Sequence, residues 1–120
     1  MKSLPTREYH APRHLPWDLE SLEVSGLVDA LEEERFWRRY FRSEPYYDPL
    51  VSCDQYAAAY RLGIYHRLAQ GRISTWTDSE AALHLWWECH GGAVGMGWQQ
   101  AQAPVRAAWM RVHNALTWRQ

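Results

Sequence analysis

Residues 76–92 read WTDSEAALHLWWECHGG, and residues 98–112 read WQQAQAPVRAAWMRV. Trp76, Leu83 and Trp87 in the first stretch are matched 22 positions later by Trp98, Val105 and Trp109, with steps of seven and then four in each. Eleven residues make about three turns of an α-helix, so both tryptophans of a copy return to nearly the same face with an aliphatic residue between them. This spacing predicts two related helical units whose aromatic faces build a core. Tyr56, Tyr60 and Ile64 form a looser copy upstream.

Helix limits follow from local signals. Thr77 and Glu80 have capping-box spacing at the start of the first unit, and Gly91–Gly92 offer a left-handed stop at its end. A second helix is predicted to begin at about residue 98, but Pro104 costs about 3 kcal/mol in a helix interior. Either that helix starts nearer 103 or it bends there. Upstream, Pro45 and Pro49 force a turn, and Ser52 or Asp54 caps a helix over 53–69 that Gly71 closes. Residues 18–43 have helix-forming composition, acids early and arginines late, with Gly26 a weak point. Apolar positions 24, 27, 28, 31, 36, 37, 40 and 41 mark its inner face, and Glu34 and Arg38 are expected to pair on the wet side.

Pro5, Pro12 and Pro16 punctuate residues 1–17, which read as an extended arm able to pack through Tyr9, Leu15 and Trp17. The expectation is an all-α fold: a small single-domain bundle of about four helices over 18–120, preceded by that arm.

Eight Trp, seven Tyr and two Phe in 120 residues supply far more ring surface than an average soluble chain carries. Formal net charge is −1, with seven basic and eleven acidic residues in the first 60 and six and three in the rest. No broad positive field gathers phosphate backbones, so nucleic acid is a disfavoured partner; a small patch of Arg61, Arg67 and Arg72 with Tyr60 and Tyr65 is its weak counterpart. Two cysteines, Cys53 and Cys89, make no disulfide framework or paired metal motif. A charged, proline-bearing start and the lack of a membrane-length apolar run point to a soluble, cytoplasmic chain.

The doublet Trp86–Trp87 is read as one core ring and one edge ring. His84 and Glu88 stand one turn apart, and with His90 they form the best available metal set, but a surface polar pair accounts for them more simply. Cys89 and His90 point about 100° apart on a helix and cannot readily share an ion. No cofactor is expected. A cysteine nucleophile would need His66, His84 or His113 brought to Cys53 or Cys89 by the fold.

Finally, DQYAAAYRLG (54–63), WTDSEAALHLWWE (76–88) and WQQAQAPVRAAWMRV (98–112), preceded by RFWRRYFRSEPYY (35–47), resemble an uncharacterised group of bacterial Trp/Tyr-rich helical modules. Their stretches run YxPAYRYG, WxxxEPxLxxxWE and WxxAxPAVRxAWxR. Tyr56, Tyr60, Trp76, Glu80, Trp87, Trp98, Arg106 and Trp109 carry the match over about 35–112, while Ala58 and Ala81 replace prolines and Pro104 is shifted by one. The resemblance implies a compact helical module that accompanies stress-response domains, with no known catalytic residue. A non-enzymatic interaction module is therefore expected, binding a protein partner or a second copy of itself through aromatic surface. The alternative is a small ligand, metal or haem binder using His66, His84, Cys89 or His90.

Overall fold

The computed structural model describes residues 28–70 and 75–118. Four α-helices follow one another: α1 (Ala30–Tyr40), α2 (Cys53–Ala69), α3 (Trp76–His90) and α4 (Trp98–Trp118). Short 3-10 turns, Phe41–Ser43 and Gly91–Val94, follow α1 and α3. The described residues contain no strand, and none of their helices is long and apolar enough to cross a membrane. The expected arm over 1–17, the weak point at Gly26 and the stop at Gly71 lie outside the described residues.

Helix α2 shows how local the start signals are. Ser52 Oγ accepts from the Gln55 amide at 3.1 Å while Gln55 Oε1 accepts from the Ser52 amide at 2.8 Å, a reciprocal capping box. At α1, Asp29 Oδ1 accepts from the Leu31 amide at 3.0 Å, so the helix begins after that aspartate.

The spine of the molecule is α2 against α4. Ala59, Ala101, Val105 and Ala108 are fully buried along the seam, and small side chains there let the two backbones come close. Gly63 marks the tightest point: a Cβ at this position would lie 2.3 Å from the Val105 carbonyl oxygen and 3.0 Å from the Trp109 nitrogen. Helix α1 closes one side, its Trp37 ring stacked on Tyr60 at 4.5 Å. Helix α3 closes the other, with Trp76 meeting Trp109 edge-on at 5.6 Å.

Several expected details differ. The cap of α3 is Thr75, whose Oγ1 accepts from the Asp78 amide at 3.1 Å; the helix starts two residues early because Trp76 is already packed, and Glu80 instead accepts from Gln102 Nε2 at 2.6 Å. Helix α3 does end at His90 with Gly91 as its C-cap, where expected, but Gly91 has φ −81°, in the right-handed region, so a 3-10 turn follows; the positive φ of 78° falls at Gly95. Gly91 serves through space, since a Cβ there would meet the Trp87 ring at 2.7 Å. Helix α4 starts at Trp98 and continues through Pro104, whose fully buried ring contributes packing that offsets the lost amide bond.

On α1 the buried residues are Ala30 and Trp37, followed by Phe41, while Leu31 and Tyr40 are 50% and 42% exposed. At about 100° per residue, Leu31 lies well round the helix from the Trp37–Phe41 line. Glu34 does not stay on the wet side with Arg38. It turns to α2, where the Tyr65 hydroxyl donates to it and Arg61 lies 3.5 Å away.

Candidate functional site

The rings singled out by spacing have these positions. Tyr56, Tyr60, Leu83, Trp87, Trp98, Val105 and Trp109 are buried, and Trp76 is partly buried at the α3–α4 contact. Trp87 donates its indole N–H to the Met96 carbonyl at 2.7 Å, which ties the end of α3 to the loop before α4. Trp109 is the common point of three elements: Trp76 meets its edge, His113 stacks on it at 4.8 Å, and its N–H donates to Gln70 Oε1 at 3.3 Å. Gln70 also exchanges hydrogen bonds with the buried Ser79, so the polar edge of this ring has partners without water.

A second aromatic group was not legible from spacing. Phe41, Tyr46, Tyr47, Tyr56 and Tyr60 gather between the α1–α2 connection and α2, with the Tyr46 and Tyr60 hydroxyls 2.7 Å apart. Tyr56 Oη accepts from the Asp48 amide at 2.7 Å, which fixes the proline-bounded turn to the helix. Burial raises the phenol pKa values of Tyr46 and Tyr60, and burial first, then the Glu34 hydrogen bond, pushes Tyr65 up to about 12. These phenols stay protonated near neutrality.

The candidate metal set does not close. His84 Nε2 and Glu88 Oε2 are 3.3 Å apart on an exposed face. His84 stacks on Trp98 at 5.1 Å, whereas His90 stacks on Trp86 at 4.3 Å and has Nδ1 2.9 Å from the Trp86 carbonyl oxygen. Among the described residues no group of three or more metal-ligating side chains forms. Cys89 is exposed and Cys53 partly buried.

The small basic and aromatic patch is corrected. Tyr60, Tyr65 and Arg67 are 2%, 1% and 1% exposed and offer no surface to a base, and Arg72 lies outside the described residues. Arg67 instead donates from Nε to His113 Nδ1 at 3.0 Å and lies 5.6 Å above the Trp109 ring. That geometry requires a neutral His113, and burial followed by the Arg67 charge lowers its pKa. Sequence spacing gave no sign of this pair, 46 residues apart.

Two surfaces among the described residues combine apolar exposure or enclosure with polar groups. On α3 the buried stripe is narrow, Ser79, Leu83 and Trp87, and the outer face carries Ala81, Ala82, Leu85 and Cys89 beside the exposed His84–Glu88 pair. Leu85 is 66% exposed beside the partly buried Trp86. Between α1 and α2 lies a narrow, partly open cleft of about 10 Å³, room for about one water-sized group. Glu34, Trp37, Arg38, Cys53, Tyr60 and Arg61 are among its lining residues.

Comparison with known proteins returned no matching family model, curated protein or solved structure.

Proposed function

We propose that this chain is a non-enzymatic helical interaction module that binds a protein partner, or a second copy of itself, through apolar and aromatic surface on α3. The observation that carries this reading is the outer face of that helix. A surface helix normally turns charges outward, and here the His84–Glu88 pair does so, but beside it Leu85 stands 66% exposed among Ala81, Ala82 and Cys89. Covering Leu85 and the open edge of Trp86 removes apolar surface from water at roughly 25 cal/mol per Å².

The resemblance to bacterial Trp/Tyr-rich modules supports the same reading, and a role beside stress-response domains in a bacterial cytoplasm is part of the proposal. A metal or haem binder has less support, since His84 and His90 each lie flat on a different indole and face different neighbours.

Leu85→Glu tests the reading. It places a charge at the centre of the face without touching the buried stripe, so the helical circular dichroism spectrum should be unchanged. Light scattering of the parent chain should give a mass above one copy, or pull-down should recover a saturable partner, and the variant should lose either. Equal behaviour of parent and variant in both assays would remove the α3 face from the proposal.

A further inference from the structure

The cleft between α1 and α2 combines three features that packing alone does not require. The first is an orphan donor. Trp37 is 5% exposed and lines the cleft, and its indole N–H has no hydrogen-bond partner among the described residues. A buried unpaired donor destabilises the fold, and an acceptor oxygen supplied from outside removes that penalty.

The second is size. The cleft is partly open, and its space of about 10 Å³ admits one oxygen-sized group but not a ring or a whole phosphate.

The third is charge at the rim. Arg38 and Arg61 line the cleft; Arg61 is shared with Glu34 at 3.5 Å, while Arg38 has no ion pair among the described residues. Arg35, Arg38 and Arg39 on α1 and Arg42 just beyond it stand at positions i, i+3, i+4 and i+7, one side of the helix. Arg35 is paired with Glu32 at 2.8 Å and Arg42 lies over Phe41 at 4.7 Å. Like charges one turn apart oppose the helix, and the half charge at its C-terminus neutralises less than one arginine. The cluster is therefore a cationic row of about 10 Å with charge to spare.

From these features we infer that the α1–α2 cleft is a docking site for an acidic protein segment, one carboxylate oxygen of which enters beneath Trp37 and accepts its N–H while neighbouring carboxylates lie along the arginine row. A single free anion would use only the rim pair. A nucleic acid would seek an open aromatic face, and Trp37, stacked on Tyr60 at 4.5 Å and only 5% exposed, offers none. The inference rests on the interaction-module reading only in taking the ligand to be protein; it uses elements other than the α3 face.

The test is a titration of the full chain, labelled with ¹⁵N at its indoles, with an octaglutamate peptide. The Trp37 indole signal is identified by its loss in Trp37→Phe. That signal is expected to shift saturably, and a rise from low to physiological salt should weaken binding about tenfold. Arg38→Gln and Arg61→Gln should each weaken it about fivefold, while Arg106→Gln, away from the cleft, should leave it unchanged. The arginine variants carry the test if Trp37→Phe does not fold.

Three results would each overturn the inference: peptide shifts that leave the Trp37 indole unmoved, an equal shift from acetate at the same carboxylate concentration, or tighter binding of single-stranded DNA than of the peptide. Leu85→Glu separates the two proposals. A peptide titration that persists in this variant supports the cleft whatever happens to association through α3, and a peptide that fails to bind while association persists removes the cleft alone.

Discussion

At the scale of single residues, Gly63 sets how the helices meet. Its missing side chain lets α2 touch the α4 backbone, where a Cβ would stand 2.3 Å from the Val105 oxygen. That neighbour is main chain, so a larger residue can be accommodated only by moving the helices apart. Gly63→Ala is therefore expected to lower unfolding stability by about 3 kcal/mol, at the upper end of overpacking, despite the better helix propensity of alanine. Urea unfolding measures it; an unchanged or raised midpoint would mean that the seam is looser than described. Arg67 is the residue whose place spacing could least convey. An arginine reads as surface, yet here it lies 1% exposed with its guanidinium against an imidazole and an indole.

Among the elements, the parts legible in sequence are those decided locally. Helix α2 occupies Cys53–Ala69 because prolines precede it and Ser52 with Gln55 caps it within four residues. The start of α4 was legible only as a choice, near 98 or nearer 103, because Pro104 spoke against a helix running through it; the helix begins at Trp98. What spacing did not convey depends on partners distant in the chain. The inner face of α1 is chosen by Tyr60 and Tyr65, which claim Trp37 and Glu34, and the tyrosine group joins residues 14 apart through hydroxyls. The cleft beneath Trp37 has no sequence signal, being a gap left where two helices and a turn meet. The elements also differ in how firmly they are held. Helix α3 buries one narrow stripe, whereas α2 and α4 bury each other along their length. Backbone amides in the middle of α3 should therefore exchange with deuterium at least about tenfold faster than those around Gly63 and Val105. Equal protection across the three helices would contradict this ranking.

For the whole molecule, pH dependence follows from two imidazoles. Burial lowers the pKa of His66, whose Nδ1 has no partner among the described residues, and burial with the Arg67 charge lowers that of His113. In both cases the unfolded chain binds the proton more readily. Their contribution is thus fully present above the unfolded value of about 6.5 and is lost as pH falls through that value toward the folded one. The thermal midpoint followed by circular dichroism should drop between pH 7.5 and 5.5, and His113→Gln, which keeps an acceptor for Arg67 but cannot titrate, should flatten the slope. An unaltered slope in that variant would remove His113 from the account.

The imidazole–indole stacks have an optical consequence. His84 lies on Trp98, His90 on Trp86 and His113 on Trp109, with interplanar angles of 7°, 18° and 14°. An imidazolium in such contact accepts an electron from photoexcited indole, so the emission of each of these tryptophans depends on the charge of the ring stacked on it. The brightness of this chain therefore reports on its imidazoles as well as on its fold.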